Sequence, residues 1–216
     1  DKLTELFIRV GRLQYVVIAL IVSGFAVFGQ TFIYLWAGSD YADAYWISIL
    51  TMFPLCIPLI QNTGLSIVIA QNQHKFRSIV YLIVAIINVV TTYLLVPVWG
   101  VIGAAFCSCI SYIIGQGFIM NIYYYKVTGI NIPLFWKNIV RMSYVPCAML
   151  LAGIIANKYT SLNNWGDFFT AVLVYTVIYC VSMYFGSLNQ YEKDLIKKPI
   201  SYVVKKIKKG KAEIYD

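Results

Sequence analysis

The sequence predicts an all-α integral membrane protein with six transmembrane helices and both chain ends on the cytoplasmic side. Three observations carry this. The 216 residues are 60% hydrophobic and only 12% charged, roughly half the charge of an ordinary soluble domain, and the mean hydropathy is +0.73. Apolar runs recur that are long enough to cross a bilayer, which takes about 20 residues at ~1.5 Å rise over ~30 Å of hydrocarbon. The basic residues collect in alternate connections, as the positive-inside rule requires of cytoplasmic loops.

Taken in order, the spans are Leu13–Trp36, Tyr45–Ala70, Ser78–Val96, Val101–Tyr123, Ile139–Ala156 and Phe168–Leu188. The third and fourth come from one nearly uncharged run, Ser78 to Tyr123, of 46 residues. As a single helix it would be roughly 70 Å long, more than twice the bilayer. Pro97 and Gly100 near its centre supply a helix stop and a turn, so the run reads as a hairpin of two spans.

Sixteen of the seventeen Lys and Arg fall before the first span, in the 71–77 and 124–138 loops, at Arg141 or after Leu188, and only Lys158 lies on the other side. Trp36, Trp46, Trp99 and Trp165 mark the outer interface and Trp136 the inner one, where amphipathic indoles settle. The opening DKLTELFIRVGR has no starting Met and no signal-peptide pattern. It reads as a cytoplasmic lead (residues 1–12) from a preceding segment, with a six-helix unit at 13–188 and a basic cytoplasmic tail at 189–216. In that tail Ile200, Val203, Val204 and Ile207 recur at helical spacing opposite Lys205, Lys206, Lys208 and Lys209. This is either an amphipathic helix suited to an anionic leaflet or a basic tail that only fixes orientation. Membrane orientation accounts for the excess charge, so no nucleic-acid partner is implied.

No Asp or Glu lies within a span, and the only His is His74 in a loop. Intramembrane acids and His are the usual proton relays and catalytic groups of membrane proteins, so an enzyme is not expected. The five Cys lie in apolar stretches without metal spacing; they read as small packing residues, and no metal or cofactor is implied. The most irregular span is the second, where Pro54 and Pro58 are followed by Gln61, Asn62, Thr63 and Gly64. Such a broken, polar helix builds a hydrophilic site near mid-depth or hydrogen-bonds a neighbouring helix. Gln61, Asn62 and Thr63, with Asn88 in the third span, are the cavity candidates. Lys75, Arg77 and Arg141 sit at span ends, where they could receive a phosphate or snorkel to the interface. Gly103, Cys107, Ser111 and Gly115 form a four-residue ridge of small side chains that would let another helix approach closely.

The stretch IQNTGLSIVIAQNQHKFRSIVYLIVAIINVVTTYLLVPVWGVIGAA (Ile60 to Ala105) resembles the second half of Wzx-like polysaccharide (O-antigen) repeat-unit flippases. These belong to the multidrug/oligosaccharidyl-lipid/polysaccharide exporter superfamily. The shared pattern is a polar turn in a span, a short basic loop, a span with a central Asn (Asn88), then a Pro…Gly turn followed by Gly103-Ala104-Ala105. MNIYYYKVTGINIPLFWKNI resembles the segment after that hairpin. The resemblance implies one lobe of a two-lobe transporter of the bacterial inner membrane, working with its own N-terminal lobe. The implied partners are membrane lipid and a cargo of undecaprenyl-pyrophosphate-linked oligosaccharide. Gln61, Asn62, Thr63 and Asn88 would line the cavity, and Lys75, Arg77 and Arg141 would form a pyrophosphate rim. A small-molecule or drug exporter of the same superfamily is the alternative. A polysaccharide polymerase would need a large outer loop, and a structural scaffold would not need the polar break.

Overall fold

A computed structural model describes residues 2–72, 74–160, 162–195 and 197, with His74 described in its backbone only. Among the described residues every regular element is a helix. The expected amphipathic stretch around 200–209 lies outside them.

Helix α1 (Lys2–Ala37) is one continuous 36-residue rod. The expected lead is therefore helical from Lys2 and runs straight into the first span. At its far end Gly38, with φ 91°, breaks the helix, a backbone that only glycine adopts cheaply. A single 3₁₀ turn (Ser39–Tyr41) follows, then α2 (Asp43–Ile60) and α3 (Asn62–Ala70). Pro54 and Pro58 both lie inside α2 without ending it; the chain leaves helical geometry only at Gln61, with φ −105° and ψ 14°.

The next helix, α4 (His74–Tyr112), reverses direction at Gly100, where φ 60° and ψ −148° lie outside helical space and Pro97 stands just before. The two arms then lie side by side. Asn88 Nδ2 reaches Ser108 Oγ at 3.4 Å, although 20 residues of straight helix would separate them by roughly 30 Å. Lower down, the rings of Phe76 and Tyr123 stack with centroids 4.3 Å apart. The second arm passes into a π-helix (Ile113–Ile119) and then α5 (Met120–Lys126). Among the described residues, α6 (Ile132–Met142), α7 (Tyr144–Tyr159) and α8 (Trp165–Gly186) follow, and residues 190–195 are again helical. Asn131 caps α6 by accepting from the Leu134 amide at 3.1 Å, satisfying one of the amides a helix start leaves open.

Among the described residues, five helical segments are long and apolar enough to cross a membrane: Lys2–Ala37, Ser39–Ile60, Lys75–Lys126, Ile132–Tyr159 and Trp165–Gly186. The third has 52 residues and is the folded hairpin. A multi-pass membrane protein follows from this, and it explains why large apolar side chains such as Leu82, Val89, Tyr93 and Phe185 face outward. In lipid those surfaces are solvated by acyl chains rather than water.

Helix α1 is the hub, packing on α2, α3, α6, α7 and α8, while the hairpin leans mainly on α2. Glycines set the close approaches. A Cβ at Gly11 would stand 2.5 Å from the Phe135 ring and 2.8 Å from the Ile60 carbonyl oxygen, and one at Gly153 would stand 2.7 Å from Val27. The core of the Lys2 end joins Phe7, Ile60, Met120, Tyr124, Ile130 and Phe135. Phe7 meets Phe135 edge-on at 4.7 Å between centroids, a favoured aromatic geometry.

One expectation changes. The fifth span is not a single helix starting at Ile139: α6 and α7 meet at Ser143. The apolar face of α6 (Ile132, Phe135, Ile139 and Met142) is buried while Lys137 and Arg141 are exposed, so this stretch is amphipathic and lengthens the segment before it turns fully apolar. The small-residue ridge does admit another helix closely, and that helix is the first arm of its own hairpin. A Cβ at Gly115 would stand 2.9 Å from Val84 of the first arm, and Cys107 and Ser111 are buried.

Candidate functional site

A cavity of about 350 Å³ opens between α2 and the two arms of the hairpin, walled by Pro58, Tyr81, Val84, Asn88, Ser111 and Gln116 among others. Hairpin geometry makes it. The arms touch through small residues at Gly115 and Ser108, and the larger polar side chains between them are left facing a gap. Asn88 donates to Ser108 Oγ and accepts from Thr92 Oγ1 at 3.3 Å, so its amide is held without being saturated; it has two donor hydrogens and two acceptor sites.

Arg77 stands one helical turn below Tyr81 on the cavity wall. Its guanidinium donates to the Tyr81 hydroxyl at 2.5 Å and lies 4.7 Å from the ring centroid, and its Nε is buried with no hydrogen-bond partner. Of the three rim candidates, Arg77 is the one joined to the cavity wall. Lys75 and Arg141 are both exposed.

Beneath the cavity lies a network of buried amides. Gln61 is 2% exposed and its Nε2 donates to Asn121 Oδ1 at 2.6 Å. The same oxygen accepts from Trp136 Nε1 at 3.2 Å. Asn121 Nδ2 donates to the Gln116 carbonyl at 3.1 Å and the Gly117 carbonyl at 2.5 Å. The last two groups belong to the π-helix, whose wider turn leaves carbonyls short of ordinary partners. This pattern fixes both amide orientations, because Asn121 must donate to carbonyls and so must accept from Gln61 and Trp136. Gln61 Oε1 is left buried without a donor.

Depth is the main surprise. A Cβ at Gly64 would meet Phe7 at 3.0 Å and Tyr124 at 2.8 Å, and the Ile60 carbonyl approaches Gly11. The Gln61 break therefore lies level with residues 7–11 of α1, at the basic end of the bundle, rather than near mid-depth as the polar cluster suggested. Asn88, halfway along the hairpin arm, lies deeper. Asn62 is exposed and Thr63 half-buried. Of the four cavity candidates Asn88 is on the wall of the cavity, while Gln61 sits below it in the amide network.

The sequence pattern marks Gln116 and Asn121 only as weaker polar candidates of the fourth span, and Trp136 only as an interface residue. The signal for them is weak: polar residues five apart in an otherwise apolar helix, with the partner indole fifteen residues on. The sequence pattern puts Arg12 at the end of the lead and Glu192 in the tail, both outside the spans. In the structure Arg12 is 4% exposed and Glu192 2%. Arg12 Nε and a terminal guanidinium nitrogen donate to the two Glu192 oxygens at 2.6 and 3.0 Å, that nitrogen also donates to the Ser187 carbonyl at 3.0 Å, and the Asn189 amide donates to Glu192 Oε2 at 2.7 Å. The N-x-x-E spacing of Asn189 and Glu192 is the capping-box signature that could have found half of this clasp.

A second cavity, about 470 Å³, is almost wholly apolar and runs between α1 and α8, lined by Gly24, Phe28, Phe32, Met52, Phe168 and Val172 among others. Comparison of the chain with family models, curated proteins and solved structures finds no match.

Proposed function

We propose that this chain is one six-crossing lobe of a two-lobe flippase in the bacterial inner membrane. Its cargo is an undecaprenyl-pyrophosphate-linked oligosaccharide, moved outward for surface-polysaccharide assembly. The hairpin supplies the sixth crossing, and the distribution of basic residues puts both ends in the cytoplasm. The observation that carries the reading is the cavity between α2 and the hairpin, with Tyr81, Asn88, Ser111 and Gln116 on its wall and Arg77 at its basic end.

Sugar hydroxyls entering a membrane protein lose water and need hydrogen-bond partners. Neutral amides and hydroxyls supply them without the strong hold of full charges, so release stays possible. Arg77 offers a cation for the pyrophosphate near the side from which cargo enters. The lipid tail can stay in the bilayer, and flipping makes and breaks no covalent bond, so no catalytic group or cofactor is called for. The apolar cavity on α1 and α8 favours one second reading, a drug exporter of the same superfamily whose cargo is itself apolar.

Two experiments test this. Proteoliposomes carrying the full-length protein and a fluorescent lipid-linked oligosaccharide should lose flipping by about tenfold or more when Asn88→Leu and Gln116→Leu are combined; unchanged flipping sinks the reading. Alkaline phosphatase fused after Ser39, Trp99 or Asn163 should be active, and fused after His74 or Thr128 inactive. The opposite pattern inverts the topology.

A further inference from the structure

The amide network occupies a position that packing alone does not explain. Gln116 is on the cavity wall, and its own carbonyl is held from below by Asn121. Asn121 is in turn held by Gln61 from the α2–α3 break and by Trp136 from α6. Three separate elements therefore meet in one hydrogen-bonded floor between the cavity and the basic end of the bundle. Phe76 and Tyr123, stacked across the two arms of the hairpin, extend the floor.

We propose that the Gln61–Asn121–Trp136 network is a latch that closes the polar cavity at its basic end and opens when Asn121 lets go of the π-helix. It rests on the geometry of the floor and holds whatever the cargo. Each of the three joined elements carries a weak point. The second span is already interrupted at Gln61. The π-helix is a register that reverts to α-helix by turning the following segment, and such turns are often sites of movement. Gly115 and Gly117 within it let Val84 and Ile57 come close, so its packing depends on small residues.

The unpartnered Gln61 Oε1 gives the latch its bias. A fully satisfied buried network is a fixed seam, whereas a half-satisfied one keeps a standing cost. No rotation of these amides removes it. Turning Asn121 over to serve Gln61 Oε1 would strip the donor from two π-helix carbonyls and the acceptor from Trp136. Opening, by contrast, lets water reach Gln61 Oε1 and recovers part of the lost hydration. The closed state is thus one that a modest push can undo, which suits a gate whose two states must be close in free energy.

The test uses the full chain in phospholipid nanodiscs, with the five native cysteines replaced and Ser111→Cys placed on the cavity wall. A charged maleimide that cannot cross lipid reports access to the cavity, and hydrogen exchange reports opening of residues 113–122. Asn121→Leu should raise both the labelling rate and the exchange of that segment by about tenfold. Trp136→Phe removes one donor and leaves the bonds to the π-helix, so both rates should rise about two- to fivefold; it also serves if Asn121→Leu does not fold. Exchange in residues 162–186, remote from the network, should stay unchanged in both. Labelling that stays at the parent rate in a folded variant overturns the latch, as does a rise in exchange spread evenly over the chain.

Discussion

Removing the carboxylate of Glu192 should be among the most destabilising single changes in this chain. Arg12 and Glu192 come from residues 180 apart and are both almost fully buried. Four hydrogen bonds converge on the pair: two between the side chains, one from Arg12 to the Ser187 carbonyl and one from the Asn189 amide to Glu192. In Glu192→Ala the guanidinium keeps only the Ser187 carbonyl and remains shut away from water. Stranding a buried charge in this way costs about 3–5 kcal/mol, and losing the capping contact at Asn189 adds roughly 0.5–1 kcal/mol. Arg12→Met combined with Glu192→Met removes both charges and fills the space, which should restore most of the loss, because a buried pair earns little over a well-packed apolar substitute. The assay is a double-mutant cycle on denaturant unfolding in mixed micelles, with hydrogen exchange of residues 187–195 as the local readout. A loss below about 1 kcal/mol for Glu192→Ala would mean that the clasp is hydrated and behaves as a surface pair, and the burial argument would fail.

Three further outcomes follow from the packing. Gly11→Ala forces a methyl against the Ile60 carbonyl oxygen and the Phe135 ring; since backbone cannot give way as a side chain does, it should cost about 1–3 kcal/mol, and a neutral result in thermal unfolding would refute the close approach. Gly100→Ala meets open space but must hold φ 60° and ψ −148°, a region nearly reserved for glycine. It should cost about 1–3 kcal/mol without separating the two arms of the hairpin, to be read by disulfide trapping between Asn88→Cys and Ser108→Cys, whose native side chains meet across the arms. Phe7→Ala empties a fully buried site between Tyr124 and Phe135 and should cost about 3–5 kcal/mol; Leu6→Ala, on the exposed side of the same turn, should change stability by less than ~0.5 kcal/mol.

The course of the chain was legible from local signals. Apolar length gives the spans, and Pro97 with Gly100 gives the reversal, because a helix more than twice the bilayer has nowhere to go. The clustering of Lys and Arg is equally local. Less legible were the ends of spans, since amphipathic and fully apolar helices can join without a break in hydropathy: Ile132–Met142 continues into α7 through Ser143 alone. The polar cluster at Gln61–Gly64 marked a helix break correctly but gave its depth wrongly. Depth follows from which part of α1 lies opposite, and the approach of Ile60 to Gly11 and of Gly64 to Phe7 sets it.

By itself, the sequence determines a helical membrane chain, its hairpin and the polar residues available to a site, because bilayer thickness and backbone hydrogen bonding act on each segment alone. Tertiary structure decides which of those residues meet. Asn88 joins Ser108, Gln61 joins Asn121 and Trp136, and Arg12 joins Glu192, each across 15 to 180 residues. A buried amide or guanidinium must find a partner wherever the packing places one, and that choice depends on helix rotation and register set by the apolar contacts of the whole bundle. No local pattern encodes it.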